Sequence, residues 1–192
     1  MADKAYMKVT TEEIGDIVFA AITGKGIKLN PKNKYHSYKV SVRIPKSEAK
    51  RLQKIIKEFW EENRPKGSPK KPANFDSLVY KHKDGNYYIK PHSQTEFDGE
   101  PVRIGIVDAE TNKLDPEVFG KIGEGSTGRV SFNLTTYDEG VSMFLRGVQL
   151  INYVPYSGGS DGSNDFDEVK GGKPLVDGDG FKKKKKKKKN PK

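Results

Sequence analysis

The chain has 192 residues, a third of them hydrophobic, and its 36 Lys and Arg outnumber 26 Asp and Glu for a formal charge of +10. That apolar content suffices for one modest core and not for two, and the absence of cysteine excludes disulfides, thiolate metal sites and a cysteine nucleophile. The longest apolar run, Ile17 to Ile22, is too short to cross a bilayer and the first residues lack a signal-peptide apolar region, so a soluble, cytoplasmic protein is expected.

Ile14 to Ile22 reads as a strand, followed by turn chemistry at Gly24-Lys25-Gly26. Tyr35 to Ile44 is the clearest strand, because Tyr38, Val40, Val42 and Ile44 alternate with Ser37, Lys39, Ser41 and Arg43. Pro45 ends it, and Ser47 is the expected N-cap of a helix with Glu48 in its first turn. Along that helix Ala49, Leu52, Ile55, Ile56, Phe59 and Trp60 recur at helical spacing and form a core stripe. A loop from Asn63 to Pro69 closes it. Asp84-Gly85 then signals a turn before a strand at Asn86 to Lys90. Val102 to Val107 alternates again, and Arg129 to Tyr137 pairs with Val141 to Val154 across Asp138-Glu139-Gly140 as a hairpin. Five strands and one amphipathic helix in a body of this size predict a mainly β fold, a partly open five-stranded barrel of the OB type.

Beyond Pro155 the composition changes. Residues 156 to 181 carry six acids against two lysines, and residues 182 to 192 carry nine lysines and no acid. The barrel body is therefore only mildly basic, at +5, and the predicted division is a nucleic-acid-binding domain over 1–155 and a disordered charged tail over 156–192. The lysine run repels itself and forms no packed element; it either adds phosphate contacts, neutralises the acidic stretch before it, or is merely solvated.

Several short motifs occur in an order that resembles the phage single-stranded DNA-binding protein family. They are Lys39-Val40-Ser41-Val42-Arg43-Ile44-Pro45-Lys46 before the helix, Asp84-Gly85-Asn86-Tyr87-Tyr88, Pro101 with Ile106-Val107-Asp108, Phe119 to Ser126, and Val141 to Gln149. Asn164-Asp165-Phe166-Asp167-Glu168 stands where that family carries an acidic C-terminal segment, although here a lysine run follows it. The resemblance implies an OB-fold protein that coats single-stranded DNA in phage replication and recombination, with no cofactor. It also implies that Asp165, Phe166, Asp167 and Glu168 act as a hook for replication or recombination proteins.

Binding a single strand without sequence preference needs a basic track for phosphates and aromatic faces for bases. Strand parity nominates the residues that face away from the core: Tyr35, Lys39 and Arg43; Tyr88 and Lys90; Arg129 and Tyr137; Phe144 and Arg146. Gly147 is read as a bulge that returns Val148 and Leu150 to the core. Each aromatic taken singly is an ordinary strand former; the interleaving with cations on one face is what points to a strand-binding surface.

Other readings are an RNA-binding or annealing protein, a tail-driven interaction protein, and a metal-dependent nuclease using Asp108, Glu110 and Lys113. For the last, Thr111-Asn112 is turn chemistry and favours solvent-facing hairpin charges instead. His36, His82 and His92 lack metal-ligand spacing, and the glycine-rich stretch at 120–128 has the wrong order for a phosphate-cradling loop. No catalytic or metal-binding residue is expected.

Overall fold

In the computed structural model, residues 5–156 are described; the acidic hook at 165–168 and the lysine run lie outside the described residues. In chain order, β1 (Tyr6–Thr10), β2 (Gly15–Ala21) and β3 (Ser37–Ile44) precede the helix α1 (Lys46–Asn63). A one-turn helix α2 (Phe75–Leu78) leads into β4 (Val79–Lys81), β5 (Tyr87–Ile89) and β6 (His92–Gln94). Then come a small hairpin of β7 (Glu96–Phe97) and β8 (Glu100–Pro101), β9 (Gly105–Val107), the turn α3 (Pro116–Phe119), and the long hairpin β10 (Thr127–Tyr137) and β11 (Gly140–Asn152).

Five of these strands close a ring. β2 pairs with β3, β3 with β6, β6 with β11, β11 with β10, and β10 returns to β2; all are antiparallel except β6 with β11. The seams differ in length. β10 and β11 pair over almost their whole length, whereas β10 meets β2 through Thr127 and Gly128 alone and β6 meets β11 through the single pair His92 and Phe144. A partly open, OB-like barrel is the result. β1 extends the sheet from β10, β5 and β4 extend it from β3, and β9 runs parallel to β11.

The core follows the alternation. Val40, Val42 and Ile44 on β3, Val130, Phe132 and Leu134 on β10, and Val141, Met143 and Leu145 on β11 are all buried. The expected bulge lies at Gly147: Ser131 faces Gly147 while Phe132 faces Leu145, so Arg146 is the extra residue and Val148 and Leu150 regain the core. A second bulge in β2, between Ile17 and Phe19, leaves Val18 and Phe19 both exposed. Helix α1 lays Ala49, Leu52, Ile56, Phe59 and Trp60 on the barrel interior. The Trp60 indole N–H donates to the Pro69 carbonyl at 3.0 Å, so the largest buried side chain carries no unpaired polar atom.

The helix starts two residues earlier than its capping signal suggests. Pro45, not Ser47, is the cap residue, its carbonyl accepting from the Ala49 N–H at 2.9 Å. Glu48 does more than face the helix dipole. It is 1% exposed and accepts both Arg51 Nε (2.9 Å) and Arg51 Nη2 (2.7 Å), while the Glu12 N–H donates to it at 3.1 Å. Arg51 also donates to the Thr10 carbonyl at 2.8 Å, so this buried ion pair ties the helix to the β1–β2 connection.

Candidate nucleic-acid interface

Two rows of side chains cross the outer face of the sheet. In the first, the register places Asp16, Arg43, Tyr88 and Tyr80 side by side on β2, β3, β5 and β4. Arg43 Nε donates to Asp16 Oδ2 at 2.9 Å. The carboxylate raises the guanidinium pKa further, so Arg43 is a fixed cation. The Tyr88 hydroxyl donates to Asp84 Oδ2 at 2.8 Å, and the Asn86 N–H donates to Asp84 Oδ1 at 2.8 Å. The Asn86 N–H first, and then the Tyr88 hydroxyl, hold the Asp84 carboxyl well below the usual carboxylate range. The turn that the Asp-Gly signal predicts thus also anchors an aromatic side chain. Tyr80 stacks on Tyr88 with centroids 5.6 Å apart and planes 24° from parallel, and Lys90 Nζ sits 4.4 Å from the Tyr80 ring centre.

The second row runs Ala21, Lys39, His92, Phe144, Asn133 and Lys8 across β2, β3, β6, β11, β10 and β1. Burial, and then the charge of Lys90, push the Lys39 ammonium pKa down. Beside this row an open groove of about 800 Å³ is lined by Phe97, Val102, Arg103, Asn133, Tyr137, Phe144 and Arg146. A smaller cleft of about 360 Å³ holds Lys90 and His92 and shares Tyr137 and Ser142 with the groove. The face therefore runs from Arg103 and Arg146, past Phe144 and Tyr137, to Lys90 and the paired tyrosines.

Most of the residues chosen by strand parity meet on this face. Arg43, Tyr88 and Lys90 share the tyrosine platform, Lys39 stands between it and Phe144, and Tyr137, Phe144 and Arg146 line the groove. Tyr35 is exposed in the loop before β3, with Lys34 Nζ 5.4 Å from its ring centre. Arg129 lies elsewhere. Its Nε donates to the Thr11 carbonyl at 2.7 Å, in a groove it shares with Arg51, Glu12, Glu58 and Glu62. Parity does put it on the same side of β10 as Tyr137. Eight residues of strand separate the two by about 26 Å, enough for a curved barrel to turn them apart.

Four residues of the face escaped the sequence reading: Tyr80, His92, Phe97 and Arg103. Tyr80 and His92 sit on three-residue strands that show no periodicity. Phe97 did carry a signal, since Asp98-Gly99 follows it. Those two residues have φ of 51° and 81°, the two-residue hairpin turn such a dipeptide favours, and Phe97 is 66% exposed at its tip.

The Asp108 segment forms a turn held by its own carboxylate and tied to β11, where Gln149 Nε2 donates to the Asp108 carbonyl at 3.2 Å. Asp108 Oδ1 accepts the N–H groups of Glu110 (2.9 Å) and Asn112 (2.8 Å), and Oδ2 accepts Asn112 Nδ2 at 2.9 Å. Asn112 thereby holds the Asp108 carboxyl below the usual range. Among the described residues no cluster of three or more His, Asp or Glu is arranged to hold a metal ion, and no helix is long and apolar enough to cross a membrane.

No family model and no curated protein sequence matches the chain. Solved structures do. The chain is similar to gp2.5, a single-stranded DNA-binding protein encoded by bacteriophage T7, with 21% identity and a TM-score of 0.56 over 88% of this chain and 100% of that one. It is also similar to the single-stranded DNA-binding protein of bacteriophage Enc34, solved in complex with single-stranded DNA, with 16% identity and a TM-score of 0.52 over 79% and 89% of the two chains. At these identities the likeness establishes a shared fold. It agrees with the resemblance read from the order of the motifs.

Proposed function

We propose that this chain binds single-stranded DNA without sequence preference, along the face that runs from Arg146 and Phe144 to Lys90 and the Tyr80–Tyr88 pair. The observation that carries the reading is the register. Two independent rows of the sheet set aromatic rings beside cations on one continuous surface. Cations neutralise phosphates whatever the sequence, and a ring stacks on any base because every base has a π-face. Duplex DNA hides those faces within its own stack, so an aromatic platform favours a single strand. The fold shared with phage single-stranded DNA-binding proteins supports the same reading, and we propose strand protection in phage replication and recombination as its setting. The segment Asp165 to Glu168 is the proposed contact for partner proteins, one aromatic ringed by acids. No catalytic role is assigned.

The test is fluorescence anisotropy with labelled single-stranded DNA, duplex DNA and RNA across a salt series, using the full chain beside a truncation ending at Ser157. Retained preference of the truncation for single-stranded DNA supports the barrel as the binding module. Loss of binding with the tail, or equal affinity for duplex, overturns it in favour of a lysine-driven interaction; tighter binding to RNA favours the RNA reading.

A further inference from the structure

Lys39 and His92 are direct cross-strand partners on β3 and β6, and Lys90 stands two residues before His92, immediately after β5. Three nitrogenous side chains thus converge where β6 meets β11. The cleft that holds Lys90 and His92 is otherwise lined by groups such as Asn74, Ser77, Tyr137 and Ser142, and it contains no carboxylate. Neither Lys39 nor Lys90 forms an ion pair among the described residues, whereas Arg43, one row away, is bound to Asp16. A cluster of cations without a counter-ion, beside hydroxyl and amide donors, matches the chemistry of a phosphate group.

We propose that Lys39, Lys90 and His92 form a phosphate site whose third positive charge arrives on His92 with the anion, so that the chain takes up a proton as it binds a nucleic-acid strand. The inference rests on the single-stranded DNA reading above and assigns one phosphate of the strand to this position. Its electrostatics are consistent. The His92 ring is partly exposed, yet desolvation by its neighbours pushes the free imidazole down and Lys39 adds to that, while the Lys90 carbonyl favours the charged form; Lys39 and Lys90 are the charged groups facing it. A phosphate oxygen between the three reverses the balance, because it screens the two lysines and pairs with the imidazolium. The sign follows. A pKa that rises on binding makes affinity increase as pH falls from the bound value toward the free one.

The experiment measures affinity of the full chain for oligothymidylate at fixed salt between about pH 5.5 and 8, around the histidine range; thymine has no titrating group there. Affinity should strengthen by up to about tenfold per pH unit, the limit for one proton. His92→Gln should abolish that slope. His92→Arg should bind tightly with no slope, and His36→Gln and His82→Gln should keep it. NMR titration of the wild-type His92 ring should show a higher pKa with DNA than without. An unchanged ring pKa, or a slope that survives in His92→Gln, overturns the proton-linked site. Failure of the wild type to bind oligothymidylate at any pH overturns the DNA reading itself, and the site with it.

Discussion

Tyr80 and Tyr88 stand directly opposite one another on β4 and β5 with their rings stacked at 5.6 Å, and only one of them is tethered, through its hydroxyl to Asp84. The pair is thus a platform with one fixed member, which separates the contribution of the ring from that of the hydroxyl.

Tyr88→Ala should cost about 1–3 kcal/mol of single-strand affinity, the range for loss of one base-stacking ring. Tyr88→Phe keeps the ring and removes the tether, so it should stay within about threefold of wild type, well inside that range. Anisotropy titrations of the two variants side by side check this. Equal losses would mean that the hydroxyl, not the ring, is what matters.

Arg43 is held by Asp16, both about half exposed. Asp16→Asn frees the guanidinium for phosphate. Affinity should rise by up to about fivefold, the scale of an exposed ion pair, and the salt slope should steepen by about 0.7, the increment for one single-strand phosphate. Arg43→Ala should shift neither upward. Plots of log affinity against log salt for both variants make the comparison.

The tether has its own pH signature. The Asp84 pKa is depressed in the folded chain, so its contribution is present above the ordinary carboxylate range and is lost as pH falls through the lower folded value. Tyr88 ring resonances should therefore hold steady from neutral pH to below the range where exposed aspartates titrate, and move only then. In Asp84→Asn that acid transition should be absent from the NMR titration.

Glu48 is the buried anion most exposed to loss of a partner. Glu48→Ala removes both charged hydrogen bonds to Arg51 and the acceptor of the Glu12 N–H, leaving Arg51 the Thr10 carbonyl and the Glu12 carboxylate, and should destabilise the fold by about 3 kcal/mol. For a chain of this size the melting midpoint should fall by roughly 6–12 °C. Thermal unfolding by circular dichroism tests it, with DNA affinity at 25 °C, a reference temperature, expected to change little.

What could be read from the residues depended on element length. Tyr38 to Ile44 and the Arg129 to Val154 hairpin are long enough for period-two alternation to identify their inner faces, and the Gly147 bulge was legible because Val148 and Leu150 otherwise fall out of phase. The helix stripe from Ala49 to Trp60 was legible for the same reason at its own period. β1, β4 and β6 were not, because their three to five residues hold no sustained alternation and no turn signal like the Asp84-Gly85 that marks the equally short β5. The site inherits this limit. Tyr80 and His92 come from the short strands, and Arg129 shows that parity along one strand carries no information about how far the sheet has curved.

The joint between β6 and β11 has one backbone pair, His92 with Phe144, and beside it the Ser93 hydroxyl donates to the Leu145 carbonyl at 2.8 Å. A side-chain hydroxyl there occupies an acceptor that the ladder of a fuller strand pair would satisfy with an amide. The barrel consequently has a thinly laddered seam under the middle of its outer face, and a strand bound as proposed would lie across it. On the proposed single-strand binding, hydrogen exchange around 92–94 and 144–146 should slow as the face is occupied, so that this seam becomes a gauge of occupancy.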